Sequence, residues 1–381
     1  MNQQLSKNAA KESCIVRPRK LSFNLLRRLR RKKGSNVPPG TVETGEGSSG
    51  PQTTNMVADA ENLPAAEPAL PSRSKMQLAE VDIQSDMLLQ HPFSQWTLLT
   101  LNAASSTITK LSLKFTSEAS STWKIFSATL SLPLLRTFSF TNELFIPLDV
   151  PLFTDVEDFL INHPRIKNLS LYGVGFPRSS DVPRANFQCL YTIDAHPFYI
   201  IWLMNNLSSN PNFLPSLQGV TIPSDNHTYS TGQPDFDDAL FDSALGAISS
   251  FPRNISLTLI FNSKFHFEYW IGSHVQAGVE RSVISGLVHV TRLSIDNKSC
   301  LEFTDATIAI IPDWLQLFPA LKYLKFEWEV ARNKARLTEP QYLATISMLC
   351  QKLETMEVNW RMFDLELVRK NLGVCSCDRT D

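Results

Sequence analysis

One pair of side chains has the spacing that general-base catalysis would need. Asp194 and His196 flank a single residue, and in a β-strand such positions point to the same face. Any two alternate residues of a strand share this geometry, so the pair alone does not indicate catalysis. The chain contains no HxxxH, HExxH or GxSxG sequence and no phosphate-binding P-loop. The sequence therefore favours a protein without a catalytic site, metal or cofactor.

Two other groups of residues could be metal ligands. The densest acidic cluster precedes an apolar helical pattern and comprises Asp235, Asp237, Asp238 and Asp242. Acidic residues at a helix N-terminus are stabilised by the helix dipole, by ~0.3–1 kcal/mol each, so helix capping explains the cluster better than a metal does. Cys375 and Cys377 form a single CxC sequence with no histidine nearby, and we expect them to be inert.

The charge of the chain is strongly asymmetric. The formal net charge is -1, but residues 1–34 hold 11 Lys/Arg and one acid, against 25 basic and 36 acidic residues in the remainder. Three functions stay open for this arm: nuclear import or phosphate binding on nucleic acid, an amphipathic or presequence helix, and a solvated tail without a dedicated role. Its densest basic cluster is Arg27, Arg28, Arg30, Arg31, Lys32 and Lys33.

Composition divides the chain into an arm, a folded body and a short tail. Gly, Pro and Ser fill 16 of the 41 positions over 34–74, and no aromatic residue lies between Phe23 and Phe93. Such a segment cannot bury enough apolar surface to offset the entropy of ordering. We therefore predict a disordered basic arm and linker over 1–74, a folded domain over 75–373 and a tail over 374–381.

The expected compartment is the cytoplasm or the nucleus. Six scattered cysteines show no disulfide framework, which indicates reduced thiols. The basic N-terminus is not followed by the apolar stretch of a signal peptide, and no apolar run reaches the roughly 18 residues of a transmembrane helix.

A short apolar pattern recurs nine times in the body. Each copy has an apolar residue, two others, and then two apolar residues separated by one, as in Ile108-x-x-Leu111-x-Leu113; the first apolar residue is missing in the copy at Leu257. The apolar-x-apolar core predicts a short strand with one buried face, and self-similarity at this period is typical of repeat proteins. The cores begin at Leu111, Phe138, Leu169, Ile193, Val220, Leu257, Leu293, Leu324 and Met356.

The segments between the copies favour helices. Helical periodicity predicts them at 153–160, 199–208, 236–248, 306–318 and 342–353, with one or two more over 76–104 and a final helix near Phe363–Asn371 that would cap the core. The alternation predicts an α/β fold, a leucine-rich-repeat-like solenoid with a curved parallel sheet and helices on its convex side. A doubly wound sheet alternates in the same way and stays open as the rival architecture.

Two segments carry a more specific resemblance. In Phe159–Leu171 and Leu317–Phe326 a helix ends in an His-Pro or Phe-Pro step, and an LxxLxL strand begins a few residues later. This cadence resembles the leucine-rich-repeat region of F-box-like proteins that are expanded in mushroom-forming fungi, over about residues 90–372. The resemblance implies protein recognition and, through the F-box of that family, a Skp1-type adaptor of an SCF ubiquitin ligase. No Leu-Pro-x-Glu-like F-box opening stands in residues 1–110.

Repeats stacked in register would align polar side chains on the concave face of the sheet. The central row would be Ser112, Ser139, Ser170, Asp194, Thr221, Thr258, Ser294, Lys325 and Glu357. The next row would be Lys114, Thr141, Tyr172, His196, Pro223, Ile260, Asp296, Glu327 and Asn359. Small hydroxyl side chains also suit a crowded parallel sheet that binds nothing. The better candidates for a protein interface are Tyr172, Asp194, His196, Lys325, Glu327 and Trp328.

These features favour a non-enzymatic repeat protein that binds a protein partner, with a link to ubiquitin ligation implied by the resemblance. Two alternatives from other classes stay open. One is an α/β hydrolase-like or nucleotide-using enzyme with a degenerate site, which would need a pocket with converging titratable groups. The other is a nucleic-acid-associated protein that acts through the basic arm.

Overall fold

The structure, a computed structural model, describes most of the chain from residue 78 onwards. These residues belong to one unit that spans Leu70–Asp381. The arm and linker predicted over 1–74 and the tail over 374–381 lie outside the described residues. The described ranges are 78–115, 119–142, 152–177, 182–207, 210–224, 236–261, 264–297, 304–328 and 334–372.

Eleven strands form a single sheet within these ranges. The nine predicted strand cores are confirmed as β2–β10, and both apolar residues of each core are buried. The strands are β1 (Glu80–Ile83), β2 (Lys110–Phe115), β3 (Thr137–Asn142), β4 (Asn168–Tyr172), β5 (Thr192–Ala195), β6 (Gly219–Pro223), β7 (Ile255–Phe261), β8 (Val290–Asn297), β9 (Tyr323–Trp328), β10 (Thr355–Val358) and β11 (Arg361–Asp364).

The strand order follows the chain without a reversal. Each strand from β1 to β9 pairs in parallel with the next, and β11 pairs antiparallel with β10 as an edge strand. The sheet stays open, with β1 and β11 at its two edges. A doubly wound sheet reverses its order at a switch point, and the described strands have none. The α/β class with a mostly parallel sheet is therefore confirmed, and the doubly wound alternative is wrong.

Helices connect most of the strands. The five predicted between the repeat cores are confirmed as α3, α4, α5, α7 and α9, whereas α2, α6 and α8 were not predicted. The helices are α1 (Phe93–Ala103), α2 (Ala119–Thr129), α3 (Phe153–Asn162), α4 (Pro197–Met204), α5 (Asp238–Ser249), α6 (Lys264–Ala277), α7 (Asp305–Leu315), α8 (Lys334–Leu337), α9 (Pro340–Leu349) and α10 (Leu365–Asn371). Short 3₁₀ turns occur at Asp86–Leu89 and Val283–Gly286.

The core lies between the helices and one face of the sheet. Phe138 and Phe140 of β3 meet the indole of Trp123 from α2, with ring centroids 5.9 and 5.0 Å apart. Further along the array, the rings of Phe261 on β7 and Trp270 on α6 have centroids 5.7 Å apart. Aromatic pairs of this kind contribute about 0.5–1.5 kcal/mol beyond the burial of their area. One continuous apolar cluster therefore runs along the array and holds the helices against the strands.

Both edges of the sheet differ from the prediction. Residues 80–83 form β1 instead of a helix, because the alternating Val81 and Ile83 pack toward the core when β1 pairs with β2. At the other edge, residues 359 and 360 make a tight turn with φ of 45° and 71° that returns the chain as β11. The predicted final helix consequently begins at Leu365, after the strand, and buries that residue.

The helices within the described ranges were compared with the requirements of a bilayer span. None of them combines the length and the apolar character that crossing a membrane requires.

Candidate functional site

The central row of the prediction forms one continuous ladder across the sheet. Its nine residues are backbone partners on successive strands, from Ser112 on β2 to Glu357 on β10. Asp82 of β1 and Met362 of β11 extend the ladder at its ends. All nine side chains are partly exposed, while the residues on either side of each point into the core. We call the sheet surface that carries this ladder the polar face.

The second predicted row is only partly realised. Lys114, Thr141 and Tyr172 are aligned on β2–β4, and Pro223, Ile260, Asp296 and Glu327 are aligned on β6–β9.

Four members of that row do not present a polar side chain on the face: His196, which is buried and is described below with Asp194, and Pro223, Ile260 and Asn359. Pro223 and Ile260 are buried. Asn359 lies in the β10–β11 turn instead of a strand, because the chain reverses there. The side chain of Trp328, at the end of β9, is outside the described residues.

Asp194 and His196 differ in burial: Asp194 is partly exposed on the polar face, and His196 is buried. Asp194 accepts a hydrogen bond from the hydroxyl of Tyr172 on the neighbouring strand. Burial, followed by the charge and hydrogen bond of Asp194, raises the pKa of Tyr172 well above its ordinary value. His196 is buried after β5, at the start of α4, and stacks on Phe198 with ring centroids 5.2 Å apart. The carboxylate of Asp194 therefore serves as a hydrogen-bond partner of Tyr172 on the polar face.

Charged and aromatic side chains cluster on the polar face near β9–β11. Lys325 Nζ lies 2.8 Å from Glu327 Oε2, 3.8 Å from Glu357 Oε1 and 4.6 Å from the ring centroid of Trp360. The hydroxyl of Tyr323 donates to Glu357, and burial together with this carboxylate raises the pKa of Tyr323 to about 12. Trp360 is 75% exposed. The cluster offers both charge signs and a large exposed aromatic surface.

A further row on the polar face was missed by the sequence analysis. It lies two residues before the central row on β1–β10 and crosses the whole sheet, from Glu80 on β1 to Asp364 on the antiparallel strand β11. On β3–β5 its side chains form a hydrogen-bond chain: Asn168 Nδ2 donates to Thr137 Oγ1 at 3.1 Å, and Thr192 Oγ1 donates to Asn168 Oδ1 at 2.8 Å. This chain stops at the next member, Gly219 on β6, which has no side chain. We call this ladder the leading row.

A cleft of about 630 Å³ opens at Gly219, over the beginnings of β5–β8. Thr221 and Thr258 of the central row line it, together with Ser256 of the leading row. Two arginines, Arg253 and Arg292, also line it, and no Asp, Glu, His, Cys or Lys does. The polar side chains of the lining are therefore hydroxyl, amide and guanidinium groups.

The structure brings together an Asp–His–Ser chain that spacing did not indicate. His274 Nε2 lies 3.1 Å from Asp242 Oδ1, and the Ser282 hydroxyl lies 3.0 Å from His274 Nδ1. Because a carboxylate only accepts, Nε2 carries the hydrogen directed at Asp242, and the second hydrogen bond joins Nδ1 to the Ser282 hydroxyl. Trp270 Nε1 donates to the same carboxylate oxygen at 2.9 Å.

Because its members are buried, the hydrogen-bonded set Asp242–His274–Ser282 serves as a structural link between helices. His274 and Ser282 are 4% and 5% exposed, and the Ser282 oxygen also accepts the backbone N–H of Ile284 as the cap of a 3₁₀ turn. A nucleophile must reach its substrate, and this hydroxyl is buried and bonded on two sides. The network joins α5, α6 and the turn at Val283–Gly286.

The other sequence candidates have the following positions. Asp237 caps α5 by accepting the N–H of Leu240 at 2.9 Å, as predicted, and Asp238 follows in the first turn. Within the described residues, no group of three or more His, Cys, Asp or Glu side chains could hold a metal ion. Three candidates lie outside the described residues: Asp235, the Cys375–Cys377 pair, and the basic cluster of the arm.

The chain was compared with models of known families and with curated proteins. No family model matches it, and no curated protein matches it. Its function is therefore inferred from its own residues and geometry.

Proposed function

We propose that this chain is a non-enzymatic scaffold of the leucine-rich-repeat-like solenoid type, which binds a protein partner on the polar face in the cytoplasm or nucleus. The observation that carries this proposal is the register of the central row. Nine partly exposed polar side chains follow one another on nine parallel strands, while the alternate residues are buried under helices. A surface of this kind is typical of repeat proteins that recognise other proteins.

The chemistry of the polar face defines the partner surface that fits it. Hydroxyl side chains dominate the row from β2 to β8, so the partner should offer hydrogen-bonding groups to these strands. Near β9–β11 it should offer charge and an apolar contact, opposite Lys325, Glu357 and the exposed ring of Trp360. A polypeptide surface with mixed polar contacts matches both parts.

The resemblance to fungal F-box-like repeats supports a more specific role. On that reading the polar face holds a protein that is delivered to an SCF-type ubiquitin ligase. A Skp1-type adaptor should then co-purify with the full chain in stoichiometric amounts. If it does not, the ubiquitin-ligase role is wrong, and the binding scaffold remains to be tested by itself.

Site-specific photo-crosslinking tests the binding face. A benzophenone amino acid is placed at Ser170, Thr258 or Ser294 on the polar face and, as matched controls, at the exposed helix positions Ser243 and Thr345. We expect one defined protein to crosslink from the face positions and not from the helices. The purified partner should then bind the full chain directly. Equal crosslinking from both sets, or none from the face, would contradict the proposal.

A further inference from the structure

We propose that the cleft at Gly219 binds a phosphorylated serine or threonine of the protein partner. The inference rests on the proposed function, because it assigns one contact within the polar face, and it adds the chemical class of the group that is recognised. It is carried by the two arginines, the hydroxyl groups around them and the shape of the cleft.

The two arginines in the cleft lack an ion pair among the described residues. Arg253 donates to the carbonyl oxygens of Leu214 and Pro215, at 3.3 and 2.6 Å, and to Asn212 Oδ1 at 3.1 Å. All three acceptors are uncharged, so the guanidinium keeps its full positive charge while it is held in place. Since it carries five N–H groups, it retains donors for a ligand.

Arg292 is held differently and is exposed. Its guanidinium stacks over the ring of Tyr323, with the central carbon 4.2 Å from the centroid. Stacking occupies the face of the guanidinium and leaves its N–H edge for an acceptor. Glu357, which contacts the same tyrosine, is bonded by the Tyr323 hydroxyl and lies close to Lys325, so its charge is shared with those groups.

The remaining lining suits a tetrahedral dianion. Hydroxyl groups of Thr221, Ser256 and Thr258 can donate to phosphate oxygens, and the lining contains no carboxylate that would repel them. Arginine binds phosphate through parallel N–H bonds, and hydrogen bonds to an ionised group are roughly twice as strong as neutral ones. A carboxylate side chain carries a single charge and two oxygens, so it would use this set of donors less completely than a phosphate does.

Gly219 supplies the room for the ligand. A Cβ atom at this position would lie 3.2 Å from Cγ2 of Thr192, which is tighter than ordinary van der Waals contact. Because Gly219 has no side chain, the leading row is interrupted between Thr192 and Ser256, and backbone atoms form the floor of the cleft. The opening lies beside Thr221 and Thr258, so a peptide along the central row passes it.

A peptide array on the full chain tests the inference. Peptides with degenerate flanks carry serine, phosphoserine or glutamate at a fixed centre, and binding to the purified protein is measured for each set. We expect at least about tenfold stronger binding of the phosphoserine set, which corresponds to about 1.4 kcal/mol. Arg292→Gln should remove this preference. Arg136→Gln is the matched control, because Arg136 is exposed just before β3 and lies outside the cleft.

A second variant separates cleft shape from charge. Gly219→Val fills the floor without altering the net charge and should also reduce phosphoserine binding by about tenfold. Circular dichroism and the melting temperature verify that each variant is folded. If Arg292→Gln unfolds the protein, phosphoserine binding by Gly219→Val decides whether the cleft is the binding site.

Each other outcome overturns the inference in a distinct way. Equal binding of the serine and phosphoserine sets, lost in Thr258→Arg, would retain the polar face as the binding surface and reject phosphate recognition. A preference that survives both Arg292→Gln and Gly219→Val would come from outside the cleft, with the basic arm as the first candidate. A single-stranded oligonucleotide bound as strongly as phosphoserine, with the same dependence on Arg292, would identify the ligand as nucleic acid. Binding of none of the sets rejects the cleft, while the crosslinking result decides the proposed function independently.

Discussion

The two faces of the sheet are built from alternate residues of the same strands, and their chemistry is opposite. On β3, Phe138 is fully buried against Trp123 and Phe159, while Ser139 beside it is partly exposed on the polar face. The same alternation recurs on each strand from β2 to β10. The buried face therefore supplies most of the free energy of folding. Substitutions on the polar face should leave the fold intact, so their effect on partner binding can be measured separately.

The contrast predicts very different effects for two consecutive residues. Phe138→Ala should lower the free energy of unfolding by about 3–5 kcal/mol, because it removes a buried ring and leaves a cavity beside Trp123. Ser139→Ala should change it by less than about 0.5 kcal/mol, as is usual for a surface substitution. Denaturant unfolding of both variants measures the difference. A loss of 2 kcal/mol or more in Ser139→Ala would mean that the polar face also holds the fold together.

The buried face was predictable from sequence because its signal is local. Each apolar-x-apolar core needs only three residues to specify a strand with one buried side, and all nine cores form such strands. The helix α6 escaped prediction because its sequence mixes histidine, aromatic and polar residues without a clean apolar stripe. The helix α2 begins with a run of Ser and Thr, which are weak helix formers. The turn that creates β11 lacks the Asn-Gly pair that usually marks a hairpin.

The candidate site was predictable only in part. The central row follows directly from the repeat, whereas Arg253 and Arg292 precede the apolar residues on which the prediction was built. Gly219 was the available signal, since a glycine inside a strand often marks a close approach of a ligand or of another backbone. The Asp242–His274–Ser282 chain had no signal of this kind, because its members are brought together by helix packing across 32 and 8 residues.

The buried network of Asp242, His274 and Ser282 tests whether polar side chains also contribute to the free energy of folding. Asp242→Ala removes the acceptor of Trp270 Nε1 and His274 Nε2, and it should lower the free energy of unfolding by about 2 kcal/mol. Asp238→Ala, at a partly exposed carboxylate in the first turn of the same helix, should cost about 0.5 kcal/mol. The full chain should also resist labelling by a fluorophosphonate. Labelling at Ser282 would indicate an accessible nucleophile and would favour the enzyme alternative.

His163 makes the free energy of unfolding depend on pH. Its Nε2 accepts the N–H of Leu132 at 3.0 Å, and Nδ1 donates to the carbonyl of Phe159 at 2.7 Å, so the buried ring is neutral. Burial lowers the pKa of His163 below 6.5, against a smaller opposing effect of the Phe159 carbonyl. The unfolded chain therefore binds the proton more readily, and the stability from this residue is complete above about pH 6.5 and declines as the pH falls toward the folded pKa.

Unfolding curves at pH 7.5 and 5.5 measure this dependence. The loss of stability between the two pH values should be smaller in His163→Gln than in the unmodified chain. His91→Gln serves as the control, because His91 is exposed. An unchanged loss in His163→Gln would show that other groups cause the pH dependence.

A small stability effect is also expected at the charged cluster of the polar face. Lys325→Ala removes ion pairs with Glu327 and Glu357 and the contact with Trp360, yet partly exposed pairs of this kind contribute only about 0–1 kcal/mol. Lys352→Ala is the matched control, since Lys352 is exposed and bonds only the carbonyl of Pro319. Both variants should keep the melting temperature within a few degrees. Lys325→Ala alone should lower the affinity for the partner identified by crosslinking, by about tenfold. Equal partner affinity in the two variants would remove this cluster from the binding surface and confine recognition to the hydroxyl-rich strands and the cleft beside them.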